Sequence, residues 1–135
     1  MTQALLDIQD LSLNIGQTPI LQQVSCRLAP GEIFGLVGES GSGKSMTALA
    51  TMGLLPGSAQ ASGRIALEGQ DLLPLPEQAM RRLRGKDLGM IFQEPMTALN
   101  PVQTIGAQVA ETLLVHGIGS KREALERAAD RLNRV

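Results

Sequence analysis

The chain has 135 residues, 43% of them hydrophobic and 19% charged, with a formal net charge of −1. That size and composition suit one folded domain and exclude a disordered tail. The near-neutral balance, with Phe34 and Phe92 as the only aromatics, excludes a basic nucleic-acid sheath and the stacking platforms of a single-strand binder.

In chain order, "LLDIQDLSLNI" and "ILQQVSCRL" alternate apolar residues and predict two strands, with a turn over Gly16 to Pro19. "APGE" (29–32) predicts a second turn, and "IFGLV" (33–37) a short buried strand of a parallel sheet. "KSMTALATMGLL" predicts a helix ending near Gly53 and Pro56, and "PGSAQASG" (56–63) a loop. "RIALEG" reads as a strand and turn, "PEQAMRRLRG" (76–85) as a short helix opened by Pro and closed by Gly, and "LGMIF" (88–92) as another strand. A helix from about Thr104 to His116 follows. A last helix opens at "SKRE", where Ser120 and Glu123 have capping-box spacing. Its apolar stripe is Ala124, Leu125, Ala128, Leu132 and Val135.

The N-terminus "MTQALLDIQD" has no basic residue before its apolar positions and does not read as a signal peptide. No apolar run approaches the roughly 18–20 residues that span a bilayer, so no direct membrane insertion is expected and any membrane link goes through a partner. Cys26 is the only cysteine, so no internal disulfide forms; it reads as a small buried hydrophobe in a cytosolic chain.

"GESGSGKS" (38–45) carries the chemistry. Gly38, Gly43, Lys44 and Ser45 meet the pattern G-x-x-x-x-G-K-[ST] between a predicted strand and a predicted helix. A phosphate chain needs several backbone N–H groups aimed at one point, and glycines let the backbone curl around it without a Cβ in the way. The helix starting near Lys44 adds its positive dipole end. Lys44 can reach the β- and γ-phosphates, and the Ser45 hydroxyl can ligate Mg²⁺. A flexible strand-to-helix turn is the plain alternative. A dinucleotide fingerprint fails, because its third glycine would fall on Met46. Gln93 stands at the end of the predicted strand 88–92. From the residues alone it is either a polar strand end before a Pro turn or a group facing a γ-phosphate, a magnesium or a water.

Together, "GESGSGKSMTALATMGLLP" and "GMIFQEPMTALNPVQTIGAQVAETLLVHG" closely resemble the Walker A and Q-loop regions of the ATP-binding subunit of ABC transporters, most of all the dipeptide, oligopeptide and nickel importer branch. The resemblance implies an α/β P-loop NTPase fold, here an incomplete ABC-type nucleotide-binding domain. About 1–92 would be the β and Walker A part, and about 93–135 the Q-loop and the start of a helical subdomain. It implies ATP and Mg²⁺ as cofactors, bound by Gly38, Glu39, Ser40, Gly41, Ser42, Gly43, Lys44, Ser45 and Met46, with Ile15 on the adenine side. Ser45 and Gln93 would serve the metal, and Gln93 would sense the γ-phosphate and Mg²⁺. The implied partners are transmembrane permease subunits and a second ATP-binding subunit, identical or not, on the cytoplasmic face of the inner membrane. Met90, Met96 and Leu99 could supply apolar contacts to the permease.

Two features depart from the resembled pattern. Ile15 occupies a position that is usually aromatic, so weaker or less base-selective nucleotide binding is expected. No LSGGQ-type signature, no Walker B strand ending in Asp-Glu and no switch histidine occurs in the 135 residues. His116 reads as a helix C-terminal residue favoured by the dipole. Glu39, Glu68, Asp71 and Glu94 read as solvated charges rather than a catalytic base. The expectation is the N-terminal part of an importer ATPase. A half-cassette that binds nucleotide without hydrolysing it is the alternative, and an unrelated P-loop enzyme such as a small kinase the third reading.

Overall fold

A computed structural model describes residues 4–94 and 98–135. The chain divides into two compact units between Arg81 and Arg82.

The first unit is built on a four-stranded antiparallel sheet in the order β2-β1-β3-β4. Its strands are β1 (Leu6–Ile15), β2 (Thr18–Leu28), β3 (Ala59–Leu67) and β4 (Gln70–Asp71), and helix α1 is Lys44–Thr51. Leu11, Leu13 and Ile65 are fully buried at its centre, with Ile8, Leu21, Leu72 and Met80 around them. Each such side chain contributes about 1.5–3 kcal/mol by leaving water. Helix α2 (Glu77–Leu83) straddles the division.

Ile8 and Leu11 are both buried although an odd spacing should place them on opposite faces. A bulge resolves this. Between Ile8↔Cys26 and Leu11↔Val24, β1 carries one more residue than β2, and the same excess appears against β3. Asp10 takes up the extra residue at φ 49°. Its N–H donates to Ser25 Oγ at 2.8 Å, and the Ser25 hydroxyl donates to Asp10 Oδ1 at 3.3 Å. A second irregularity falls at Gln23, φ 49°, whose N–H donates to Ser12 Oγ at 3.0 Å. Two serines thus replace the ladder partners that the irregularities remove.

Gly63 faces the first bulge. It has φ 97°, and a Cβ there would lie 2.5 Å from the Asp10 carbonyl oxygen and 2.6 Å from that of Gln9. Strain and overpacking act together, so Gly63→Ala is expected to cost about 2–4 kcal/mol. Urea unfolding of the protein measures this, and an unchanged midpoint would reject it.

The second unit contains α3 (Ile105–Val115) and α4 (Lys121–Leu132). Thr104 Oγ1 accepts the Ala107 N–H at 3.2 Å and caps α3. The box on α4 is complete: the Ser120 N–H donates to Glu123 Oε2 at 2.6 Å, and the Glu123 N–H donates to Ser120 Oγ at 3.3 Å. Donation from Ser120 holds the Glu123 carboxyl below the usual carboxylate range. The helices pack through Ala110, Ala124 and Ala128, with Leu113 against them. Of the expected stripe only Ala124 and Ala128 are buried; Leu125, Leu132 and Val135 are exposed.

Several expected elements change. Neither 33–37 nor 88–92 forms a strand, and Ile33, Val37 and Ile91 are each more than 90% exposed. A parallel strand exists only through hydrogen bonds to neighbours. Among the described residues neither stretch has one, apart from a single bridge between Arg84 and Leu88. The Walker A strand of the expected strand-loop-helix is therefore not formed: 33–37 carries no regular secondary structure. Conversely, the expected loop 56–63 is strand from Ala59 onward, because it pairs with the far half of β1 from Ile15↔Ala59 to Ser12↔Ser62. The first turn narrows to Gly16 and Gln17, with Thr18 and Pro19 already in β2.

Candidate functional site

The glycine loop lies between 33–37, which has no regular secondary structure, and α1. Gly43 caps the helix in the left-handed region, φ 88° and ψ 5°, and no side chain caps it. A Cβ on Gly43 would collide with Leu21 Cδ2 and stand 3.2 Å from the Ile20 carbonyl oxygen. The loop is thus pressed against β2. Gly41 is also left-handed, φ 81°, and the Ser42 N–H donates to the Glu39 carbonyl at 3.2 Å to close a tight turn. A Cβ on Gly38 would meet Ser42 Oγ at 2.6 Å.

Lys44 folds back over this loop. Its ammonium donates to the carbonyls of Gly38 at 2.7 Å and Glu39 at 2.5 Å, and to Ser42 Oγ at 3.2 Å. These partners, all among the described residues, are neutral oxygens. The cation is localised, but no carboxylate in this set balances its charge. The first turn of α1 contains no acidic residue. An anion at the loop therefore meets a lysine, a helix N-terminus and an uncapped set of N–H groups, with no fixed negative side chain on the helix to repel it.

Behind the loop, α1 is anchored by two buried threonines. Thr47 Oγ1 donates to the Gly43 carbonyl at 3.1 Å, and Thr51 Oγ1 donates to the Thr47 carbonyl at 3.0 Å. Both hydroxyls are satisfied within the helix, so burial leaves no polar debt. Ser45 is exposed one residue into the helix, and Met46 is half-buried.

The expected residues of the glycine loop, 38–46, thus lie together in the first unit. Ile15 lies in the same unit. It is half-buried at the end of β1, opposite Thr18, on the hairpin end near Leu21. Gln93 is exposed in the second unit, where it lines an open cleft of about 470 Å³ with Phe92, Glu94 and Ala98. Met96 lies outside the described residues; Met90 is half-buried and Leu99 exposed. Cys26 is half-buried, and burial pushes its thiol up. His116 is the C-cap of α3, as its position suggested.

The loop fits a nucleotide's phosphates with bound Mg²⁺: two glycines sit where a Cβ would clash, and the lysine is already oriented by neutral acceptors. Among the described residues no group of three or more His, Cys, Asp or Glu could hold a metal. A magnesium at Ser45 would draw its other ligands from phosphate oxygens and water, as this ion commonly does.

Some supporting residues were missed in the sequence. Leu21 and Ile20 shape the loop from β2. Only the φ of Gly43 and the fold of β2 reveal this pair.

Comparison with known proteins agrees with this geometry. A family model described as ABC transporter matches residues 21–135. A peptidoglycan transport ATP-binding protein of Agrobacterium fabrum is 47% identical over 99% of this chain and 26% of its own length. A dipeptide transport ATP-binding protein of Haemophilus influenzae is 45% identical over 98% of this chain and 42% of its own. A probable D,D-dipeptide transport ATP-binding protein of Escherichia coli K12 is 47% identical over the whole chain and 43% of its own length. The chain thus spans less than half the length of each of these relatives. With its glycine loop, its capped helix and a family match over most of its residues, the chain belongs to the ABC transporter family.

Proposed function

We propose that this chain is the nucleotide-binding part of an ATPase that powers import of peptides or nickel-type solutes through a membrane permease. The observation that carries the reading is Lys44, held over a glycine-capped helix N-terminus by neutral oxygens alone. Bound Mg²⁺-ATP supplies the phosphoanhydride whose cleavage drives transport. The chain's own residues bind and orient it. Backbone N–H groups of Gly41, Gly43, Lys44 and Ser45 are offered to the phosphates, and Lys44 exchanges carbonyl partners for phosphate oxygens, which accept stronger, charge-assisted bonds. Ser45 offers its hydroxyl to the metal, and Ile15 covers one side of the base by aliphatic packing. Gln93 reports the γ-phosphate and Mg²⁺ to the permease subunits.

The proposed partners are those permease subunits and a second ATP-binding subunit, with the protein peripheral on the cytoplasmic face of the inner membrane. Among the described residues no helix is long and apolar enough to cross a membrane, and the peptide-transport names of the relatives favour this solute class.

The test is ATP turnover by the complete protein, alone and with its permease in nanodiscs, with ATP and GTP compared. Turnover that rises with the permease and needs Mg²⁺ is expected, with only weak preference for ATP because Ile15 cannot stack. Phosphate transfer to a soluble acceptor, indifferent to the permease, would overturn the reading in favour of a kinase.

A further inference from the structure

Helices α3 and α4 meet through small side chains, and a cleft of about 390 Å³ lies between them. Val109 and Leu113 of α3 and Ala128 of α4 give it an apolar wall, and Thr112 adds a hydroxyl. Helix α4 also brings Arg127 and Arg131 to the cleft. Both arginines are exposed. Four residues apart, they lie one above the other on the helix, about 6 Å along its axis.

The charge pattern of α4 is unbalanced here. Like charges at this spacing repel and weaken a helix. The acids that could offset them are engaged elsewhere. Glu123 accepts from the Ser120 N–H at 2.6 Å, Glu126 faces Arg122 at 3.8 Å, and Asp130 pairs with Arg134 at 3.1 Å. Ser120 is the main influence on the Glu123 carboxyl, and the charge of Arg127 is a lesser one. Among the described residues no carboxylate stands within ion-pair distance of Arg127 or Arg131. Arg131 lies in the last turn of α4, where a cation suits the helix dipole. Arg127 lies a turn earlier and has no such reason to be there.

An apolar wall beside two uncompensated guanidiniums complements a ligand with an apolar body and one carboxylate. Guanidinium forks donate to carboxylate oxygens in parallel pairs, which gives these bonds both strength and direction. The size of the cleft favours a small molecule. Sites for small ligands run from about 300 to 1,000 Å³, and this cleft lies near the lower end. A stable protein interface takes roughly 20–30 residues a side, far more than line it.

We propose that the cleft between α3 and α4 binds the free C-terminal carboxylate of a short peptide. Arg127 and Arg131 hold the carboxylate, and an apolar side chain of the peptide lies against Val109, Leu113 and Ala128. The choice of a peptide rests on the reading that the protein serves a peptide importer. The site shares no residue with the glycine loop, so both can be filled at once.

The experiment titrates the dipeptide alanyl-leucine into the complete ATP-binding protein, with Mg²⁺ and a non-hydrolysable ATP analogue in excess so that the glycine loop is occupied. Calorimetry reads the affinity, and the backbone amide signals of α3 and α4 read the place. Alanyl-leucine amide, which lacks the carboxylate, and hexanoate, which lacks the peptide unit, are titrated beside it. Arg127→Gln and Arg131→Gln keep N–H donors without the charge. Each is expected to bind alanyl-leucine about tenfold more weakly, the worth of one charge-assisted hydrogen bond, and the double variant to show no binding. Arg127→Lys keeps the charge but not the fork and should fall between. The amide should bind at least tenfold more weakly than the free acid. Both side chains are exposed, so a thermal melt should change little.

An amide bound as tightly as the acid, or unchanged affinity in both Gln variants, would overturn the proposal. So would silent α3 and α4 amides, which is also the result if another part of the protein covers the cleft. Hexanoate bound as tightly as the dipeptide would reject the peptide as ligand in favour of any small apolar acid. If Arg127→Gln does not fold, Arg131→Gln and the amide decide. Failure of the importer reading looks different: ATP turnover would not respond to the permease, and the titration would still accept or reject the carboxylate site.

Discussion

Lys44→Ala is expected to weaken ATP binding by two orders of magnitude or more while leaving the fold intact. Charge-assisted hydrogen bonds are worth about 1.5–3 kcal/mol each, and a lysine on the β- and γ-phosphates makes at least two. The sum, about 3–6 kcal/mol, is a factor of 100 or more. The fold should survive because the lysine's partners are two carbonyls and a hydroxyl of an exposed loop, which water can satisfy when the ammonium is gone. A fluorescent ATP analogue measures the affinity and a thermal melt measures the fold. Affinity within threefold of wild type would remove Lys44 from the phosphate site. Lys44→Arg should rescue little, since a planar fork is a poor substitute for a point charge in so tight a loop.

What could be read in the residues follows from how far apart the interacting groups lie. The glycine loop was legible because its chemistry is contained in eight consecutive residues. The cap of α4 was legible because Ser120 meets its partner three residues on. β1 and β2 were visible from alternation, but not their bulges: the odd spacing of Ile8 and Leu11 looks like noise until Gly63 and Ser25 are seen opposite Asp10.

The failures share one cause, long-range pairing. "AQASG" carries no large apolar side chain and becomes strand because β1 lies beside it. "IFGLV" and "LGMIF" are strongly apolar, yet the described residues offer them no neighbouring strand. His116 was correctly placed at the end of α3, but its bond to Arg84 spans 32 positions.

Gly43→Ala should damage the site from behind, through packing rather than charge. An alanine at φ 88° costs about 1–2 kcal/mol for its left-handed conformation alone. Its methyl would also collide with Leu21 Cδ2, and Leu21 is only 4% exposed in the core of the sheet. A leucine so confined cannot turn away without disturbing its neighbours. The start of α1 must therefore lift off β2, and its N–H groups lose their common aim. ATP affinity is expected to fall at least tenfold and stability by about 2–3 kcal/mol. Adding Leu21→Ala to Gly43→Ala separates the two causes. The second change opens space for the methyl but cannot relieve the backbone strain. Partial recovery of affinity would mean that contact with β2 aims the loop. No recovery would assign the effect to the left-handed cap itself. Full affinity in Gly43→Ala alone would show that the phosphate site does not depend on this glycine.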